Sequence, residues 1–324
     1  MVNIKDIISP IENSFIEFNE NLKESTKSSV DLVNIVINYA IKNKGKQLRP
    51  ILCLLSAKLI SNPNQSSITA ASLIEMLHVA TLIHDDIVDD SSMRRGWPSV
   101  KSIWKNKISL LLGDYIFSQA LSNMIQLRSF DALEVLSNTA NRLSEGELLQ
   151  MERSKTKKMD EPTYLKMVSD KTASLFSASS EIGAITVDAS NKERKALKVF
   201  GEKLGIAFQI KDDLFDVLGN QDGLGKPTGF DVKKNIITLP LIHLMSNVSV
   251  LERKSIISRM KYYAKKRDLN SVEAMMRTSG SIEYAEKHMI RISDEAIAEL
   301  DIFKDSDVKK SLILLVKYNL ERLK

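Results

Sequence analysis

The chain of 324 residues is 43% hydrophobic and 27% charged, and its formal net charge is +5 at pH 7. This composition is typical of a soluble globular protein and excludes a disordered chain. The small numbers of glycine, 12, and proline, 7, argue against β-sandwiches and β-barrels, which need frequent turns. The glycine motifs of dinucleotide-binding folds and of P-loops do not occur in the sequence.

Hydrophobic periodicity predicts an all-α protein of about a dozen helices. In chain order, the predicted helices span about 11–24, 29–43, 48–61, 67–92, 106–126, 130–156, 161–188, 192–219, 238–247, 250–266, 280–301 and 306–322. No low-complexity linker or change in composition divides the chain. We therefore expect residues 1–324 to form a single-domain helical bundle.

Two of the predicted helices, 67–92 and 192–219, are apolar on most of their faces. A helix with this pattern belongs in the interior of a larger bundle. At a rise of 1.5 Å per residue, each would be longer than about 35 Å. We expect them to form the centre of the fold.

Each of these two helices ends in a cluster of aspartates. The first cluster is Asp85, Asp86 and Asp89, followed by Asp90, and the second is Asp212, Asp213 and Asp216. Like charges at i and i+4 weaken a helix, and their burial is costly unless a cation is bound. One such cluster is compatible with an exposed acidic helix end, but two copies on apolar helices favour a metal site.

The ligand types indicate which metal would bind. Carboxylates on rigid helices, without His or Cys, suit Mg²⁺, which completes its coordination with water and phosphate oxygens. Calcium is disfavoured because its binding loops place ligands at alternate positions of a flexible backbone. We therefore expect a diphosphate held between the two acidic clusters by bridging metal ions.

Basic residues near the clusters fit such a ligand. Arg94 and Arg95 closely follow the first cluster, and Lys226 follows the second in a glycine-rich loop. Lys46 and Arg49 lie three residues apart at a predicted helix start, where free backbone N–H groups also favour an anion. Each of these residues, taken alone, is more often a surface charge than a ligand.

Other features bear on location and partners. The single cysteine, Cys53, lies in an apolar run and predicts a core thiol. No apolar stretch approaches the roughly 18 residues of a membrane span, and the N-terminus does not look like a signal peptide. Short basic runs lack interleaved aromatic residues. We therefore expect a cytoplasmic protein with no integral membrane association and no nucleic acid partner.

The chain resembles the trans-type isoprenyl diphosphate synthases, also called polyprenyl synthetases. The resemblance covers nearly the whole chain, in motif order and spacing. It rests on Gly45-Lys46-Gln47-Leu48-Arg49-Pro50, Glu75 to His78, His84 to Asp89, Arg94-Arg95-Gly96, Gly113-Asp114-Tyr115, Glu145-Gly146-Glu147, Lys171-Thr172, Phe208 to Asp216 and Gly225-Lys226-Pro227.

The resemblance implies a helical bundle around a deep apolar cavity, usually in a homodimer. The reaction that it implies joins isopentenyl diphosphate head-to-tail to an allylic diphosphate, with three Mg²⁺ ions as cofactors. The metal ligands implied are chiefly Asp85, Asp89 and Asp212, with Asp86, Asp213 and Asp216 in support. The residues implied for the allylic diphosphate are Arg94, Lys171, Thr172, Gln209 and Lys226. Those implied for isopentenyl diphosphate, which binds without metal, are Lys46, Arg49, His78 and Arg95.

The catalytic set that follows from the resemblance is Asp85, Asp86, Asp89, Asp212 and Lys171. For His78, a core histidine with a satisfied hydrogen bond is the alternative, but its position seven residues before Asp85 favours a ligand. One departure concerns the glycine-rich loop, where Asn235-Ile236 replaces the Gly-Lys usual in the family.

Product length is predicted from the helix face below the first cluster. The residues there are Ala80 and Thr81, whose small side chains leave room for a growing chain. We therefore predict products longer than fifteen carbons, in the geranylgeranyl-to-octaprenyl range. A deeper floor at Met124 or Leu127 is compatible with the sequence.

Other functions share part of this pattern. A class I terpene cyclase would share the fold and the first acidic cluster, but would not need Lys46, Arg49 and Arg95. A squalene-synthase-like condensation would not need an isopentenyl diphosphate site. A non-catalytic partner subunit of a prenyl synthase is also possible, although both aspartate motifs are intact.

Overall fold

The computed structural model describes residues 2–42, 45–218, 237–266 and 270–321. In this part of the chain, the regular structure is almost all helical, which confirms the predicted all-α class. The helices are α1 Ile4–Ile8, α2 Glu12–Ser25, α3 Asp31–Lys42, α4 Leu48–Ile60, α5 Gln65–Val88, α6 Val100–Gln126, α7 Phe130–Thr156, α8 Glu161–Val168, α9 Ser174–Ile185, α10 Asn191–Leu218, α11 Leu239–Ser246, α12 Val250–Lys266, α13 Asn270–Thr278, α14 Ser281–Ala298 and α15 Asp307–Glu321.

Three kinds of shorter element connect these helices. An antiparallel hairpin of two short strands, β1 Met93–Arg94 and β2 Trp97–Pro98, joins α5 to α6. A π-helical turn, Ser169–Ala173, separates α8 from α9. Single 3₁₀ turns, Ser9–Ile11 and Glu299–Ile302, follow α1 and α14.

Helix α5 is the first of the two central helices. A capping box begins it, in which the Asn64 side chain accepts from the Ser67 backbone N–H at 3.0 Å and Ser67 Oγ accepts from the Asn64 N–H at 3.2 Å. It packs against α2, α4, α6 and α9. Within the described ranges, α5 is the one helix long and apolar enough to cross a membrane, but 67% of its apolar window is buried. We therefore interpret α5 as a core helix.

Helix α10 is the second central helix and packs against α9 and α14. It links the two hydrophobic core clusters, contributing Leu204 to the first and Ile210 and Leu214 to the second. Two glycines permit its close approach to α9 and the π-turn. A Cβ at Gly201 would lie 2.5 Å from the Phe176 carbonyl oxygen, and one at Gly205 would lie 2.5 Å from Ala173 Cα.

The helix boundaries differ from the prediction where the chain turns at the site. Helix α5 ends at Val88 and not near residue 92, because Asp90 adopts a left-handed conformation with φ 51°. The single helix predicted over 161–188 is interrupted by the π-turn and ends at Ile185. Helices α1 and α13 were not predicted. Both are shorter than the periodic pattern needs in order to show clearly.

Candidate active site

The first aspartate cluster lies at the C-terminal end of α5, beside the β1–β2 hairpin. Asp86 is buried there and forms a two-pronged ion pair with Arg94. The Arg94 Nε atom lies 2.9 Å from both carboxylate oxygens of Asp86, and Nη2 donates to Oδ1 at 2.7 Å. This ion pair links the hairpin to α5 and places the guanidinium of Arg94 next to the aspartates of the first cluster, which are the candidate metal ligands.

Asp85 lies partly buried on the adjoining position of α5. Burial raises the pKa of the Asp85 carboxyl to about 6. Lys171 and Arg94 oppose this shift of the pKa, while Glu147 and Asp89 add to it. Because a bound cation would favour the charged carboxylate, the electrostatics of this position fit a metal ligand.

The second aspartate cluster lies at the C-terminal end of α10, and its middle residue is again held by protein side chains. Asp213 is buried, and the Tyr164 hydroxyl donates to its Oδ2 at 2.7 Å. Gln209 Nε2 donates to its Oδ1 at 2.7 Å. Burial raises the pKa of Asp213 to about 7, against the effect of these two hydrogen bonds and with that of Asp212 and Asp216.

The donor set of the two clusters consists of carboxylates. Among the residues that the structure describes, no three His, Cys, Asp or Glu side chains converge on a preformed metal position. Mg²⁺ commonly takes only one or two carboxylates and fills its remaining positions with water and phosphate oxygens. Asp85, Asp89, Asp212 and Asp216 therefore fit ions that bind together with a diphosphate.

The π-turn brings Lys171 and Thr172 to the edge of both clusters. Lys171 Nζ lies 2.5 Å from Glu147 Oε2 and 3.1 Å from Gln150 Oε1, both on α7. A Cβ at residue 146 would lie 2.6 Å from the Lys171 backbone nitrogen, so Gly146 permits this close approach. The Thr172 hydroxyl donates to Gln209 Oε1 at 2.7 Å.

A separate cluster of basic side chains lies between α4, α5 and the hairpin. Arg49 Nη1 lies 3.0 Å from His78 Nε2, and the Arg49 guanidinium carbon lies 4.5 Å from the centre of the Phe176 ring. Arg95 packs against Gly45, where a Cβ would lie 2.5 Å from the Arg95 Cζ atom. Lys46 Nζ lies 4.5 Å from the centre of the Tyr318 ring.

Charge and burial set the protonation states of this basic cluster. Burial lowers the pKa of Arg49 to about 10, with Arg95 adding to the shift and Glu75 and Asp212 opposing it. Burial also lowers the pKa of His78 well below its ordinary value, and the positive charges of Arg49, Arg95 and Arg94 lower it further. His78 is therefore neutral, and its Nε2 atom accepts a hydrogen bond from Arg49.

The structure thus places the predicted residues in two adjoining groups. The acidic group contains the two aspartate motifs with Lys171, Thr172, Gln209 and Arg94. The basic group contains Arg49, His78 and Arg95, and Lys46 lies next to it in the chain with its ammonium over the Tyr318 ring. Lys226, Asn235 and Ile236 lie outside the described residues.

Several residues that support these two groups were not among the predicted site residues. Glu75 is buried, and its charge opposes the lowering of the pKa of both Arg49 and Arg95. Glu75 lies three residues before His78, on the same face of α5, and this spacing could have indicated from the sequence that it belongs to the basic group. Tyr164 has no such signal, because it lies 49 residues before Asp213.

Comparisons with known proteins agree with this arrangement. The family model for polyprenyl synthetase matches residues 30–278. The chain is 32% identical to the octaprenyl diphosphate synthase of Escherichia coli (strain K12) over 321 residues, which cover 99% of both chains. It is 30% identical to heptaprenyl diphosphate synthase component 2 of Geobacillus stearothermophilus over 302 residues, which cover 93% of each.

A solved structure shows the same fold. The decaprenyl diphosphate synthase of Rhodobacter capsulatus superimposes with a TM-score of 0.92 at 32% identity, over 99% of this chain and 100% of that one. The match of the family model over most of the chain, together with these full-length similarities, shows that the chain belongs to the polyprenyl synthetase family of prenyltransferases.

Proposed function

We propose that the chain condenses isopentenyl diphosphate head-to-tail with an allylic diphosphate, releasing diphosphate and a longer trans-polyprenyl diphosphate. The observation that carries this proposal is the pairing of two different anion sites. One is built from carboxylates that suit a metal-bound diphosphate, and the other from Lys46, Arg49, His78 and Arg95, which suit a diphosphate without metal.

The acidic group serves the allylic substrate. Asp85, Asp89 and Asp212 are the chief Mg²⁺ ligands, supported by Asp216 and by the middle aspartates Asp86 and Asp213. Bound Mg²⁺, as the three ions that the family resemblance implies, would neutralise the diphosphate and so make it a better leaving group.

Protein side chains complete the allylic diphosphate site. Lys171, Thr172, Gln209 and Arg94 lie around the carboxylates, and Lys226 belongs to the same proposal. As the allylic C–O bond breaks, negative charge develops on the departing diphosphate. The ammonium of Lys171 stabilises that charge without having to reorganise, because Glu147 and Gln150 already hold it in place.

The basic group orients the second substrate. With its diphosphate held there, the double bond of isopentenyl diphosphate attacks the allylic carbocation and forms the new C–C bond. The released diphosphate then accepts the proton that restores a double bond. A deep apolar cavity that excludes water would protect the cation, and the buried ring of Phe176, packed beneath Arg49, would form part of its wall.

Products longer than fifteen carbons are part of the proposal. Ala80 is buried one turn below Asp85, and the Thr81 hydroxyl turns back to donate to the His78 carbonyl at 2.8 Å. Neither side chain forms a bulky barrier below the first cluster. The name of the octaprenyl relative supports a product in the geranylgeranyl-to-octaprenyl range.

We also propose a homodimer in the cytoplasm. The argument for the dimer is an apolar face on α6 and α7, where large side chains are exposed, including Leu111, Leu121, Ile125 and Phe130. Patches of this kind mark interaction surfaces. The heptaprenyl relative is named as a component, which keeps a partner subunit as the second candidate.

The test is an assay of the purified chain with Mg²⁺, labelled isopentenyl diphosphate and a panel of allylic primers. We expect primer-dependent incorporation, and a loss of about 10³-fold or more in Asp85→Ala and Asp212→Ala, since each removes a metal ligand. Asp305→Ala is the matched control, because that carboxylate is 95% exposed. Absence of incorporation with every primer of the panel would refute the synthase proposal, and a cyclic hydrocarbon product would indicate a terpene cyclase.

A further inference from the structure

A cluster of ionic side chains contacts the π-turn from α7 and α10. Arg142 of α7 donates through Nε to Asp170 Oδ1 at 2.9 Å. Its Nη2 donates to Glu202 Oε1 of α10 at 2.6 Å, and its Nη1 donates to Glu202 Oε2 at 3.2 Å. We call Arg142, Ser169, Asp170 and Glu202 the Arg142 cluster. It joins α7, the π-turn and α10.

The Arg142 cluster also bonds directly to the backbone of the π-turn. The Ser169 carbonyl accepts the Ser174 backbone N–H, which is the hydrogen bond that defines the π geometry. Arg142 Nη2 donates to the same carbonyl at 3.1 Å and to the Ser169 hydroxyl at 2.7 Å. One side chain therefore contacts the carbonyl that closes the turn.

Burial makes these contacts costly to lose. Asp170 is only 3% exposed, and its partners are Arg142 and Lys166. Removing one partner of a buried ion pair leaves a charge in an environment that stabilises it poorly. π-Helical turns are rare and often occur at functional sites, and this one differs from the α-helix by one extra residue.

The opposite side of the same turn carries two residues of the proposed active site. Lys171 extends to Glu147 and Gln150, and Thr172 extends to Gln209. If the turn relaxed to an α-helix, these two side chains would rotate by about 100° relative to α9. They would then no longer reach one ligand together.

We propose that Arg142 is a positioning residue, which holds the π-turn so that Lys171 and Thr172 both reach the diphosphate of the allylic substrate. This inference rests on the proposed function, because it assigns Arg142 an effect on that one substrate. Arg142 itself touches neither substrate.

The first test compares steady-state kinetics of Arg142→Met, Arg142→Lys and Arg194→Met. Arg142 and Arg194 line one groove between α7, α9 and α10. Arg194 is the matched control, since it pairs with Asp131 at 2.5 Å but contacts no residue of 169–173 in any described hydrogen bond or ion pair. In Arg142→Met, we expect the KM for farnesyl diphosphate to rise about tenfold and the KM for isopentenyl diphosphate to change less than about twofold. Arg142→Lys keeps the positive charge but loses the planar guanidinium with its several N–H donors. Its KM for farnesyl diphosphate should therefore lie between those of the wild type and Arg142→Met.

The second test is hydrogen–deuterium exchange of the segment 166–176, which requires no activity. We expect faster exchange in Arg142→Met than in wild type, and wild-type exchange in Arg194→Met. If Arg142→Met does not fold, Glu202→Gln serves in both tests, because it removes one charge of the cluster at constant volume.

The outcomes separate this inference from the proposed function. Equal rises of both KM values, or equal behaviour of the Arg142 and Arg194 variants, would overturn the positioning role. An inactive wild-type chain would refute the proposed function instead. Hydrogen–deuterium exchange in 166–176 would then decide whether Arg142 holds the turn. If Arg142→Met exchanged at the wild-type rate, that role would be rejected as well.

Discussion

His78 shows how a charged neighbourhood determines the state of one residue. The sequence places it on the face of α5 that leads to Asp85, and the structure surrounds it with the guanidinium groups of Arg49, Arg95 and Arg94. Burial and these positive charges lower the pKa of His78. A neutral imidazole can accept a hydrogen bond from Arg49 and leave that guanidinium its full charge for a diphosphate.

The pH dependence of stability follows from this pKa. The folded chain keeps His78 neutral, whereas the unfolded chain takes up a proton below about pH 6.5, so the contribution of His78 to stability is lost as the pH falls. We expect His78→Gln to reduce the loss of stability between pH 7.5 and pH 5.5 by about 1 kcal/mol. Thermal or urea unfolding at the two pH values measures this.

His243→Gln is the control for that measurement. His243 is a half-buried histidine on α11, and its ring stacks on Tyr284. The interpretation of His78 would be wrong if its Gln variant showed the same pH dependence of stability as the wild-type chain.

The effect of Ala80 depends on the register of α5. It lies five residues before Asp85, and its side chain is buried in the first core cluster. We expect Ala80→Phe to shorten the main product by one or more five-carbon units, since a ring there would narrow the space below the first aspartate cluster. Chromatography of the dephosphorylated products measures the chain length.

Ala80→Ser is the matched variant, which keeps the side chain small and should leave the product distribution unchanged. Wild-type product that stops at fifteen carbons, with no change in Ala80→Phe, would contradict the predicted role of this position.

The helices show how far the sequence could predict the fold. The long amphipathic or apolar segments such as α5, α7 and α10 were predicted from hydrophobic periodicity, because many residues contribute to the signal. The π-turn was not predicted, since it adds one residue within an otherwise helical pattern. Its Ser169 bonds to Arg142 and Glu202, which lie 27 and 33 residues away in the sequence, so no local pattern could indicate these contacts.

The candidate site was predictable to a similar extent. The two aspartate motifs and the Lys46–Arg49 segment carry strong local signals, and the structure brings them together. Their supporting partners were not predicted, because Tyr164, Glu147 and Phe176 each act on a residue distant in sequence or on another helix. A local pattern does not contain that information.

The apolar face on α6 and α7 predicts that the chain assembles as a dimer. Leu121 and Ile125 lie one turn apart on α6, and they are 42% and 75% exposed. We expect the double variant Leu121→Glu/Ile125→Glu to convert a dimer to monomers, because burial of two added carboxylates at an interface is costly. Sedimentation equilibrium measures the mass.

Ile16→Glu is the control, since Ile16 is a 53% exposed apolar residue on α2. A wild-type chain that sediments as a monomer would refute the homodimer, and a dimer that persists in the double variant would place its interface elsewhere.

The side-chain amide of Gln209 lies between the two halves of the acidic group. Its oxygen accepts from Thr172 on the π-turn, and its nitrogen donates to Asp213 in the second aspartate motif. When the Asp213 carboxylate is charged, only this orientation of the amide satisfies both neighbours, so the amide connects the π-turn to the second motif. Binding of a phosphate at the turn and of a cation at the second motif would therefore be coupled through one amide, and by reciprocity each would change the affinity for the other by the same factor.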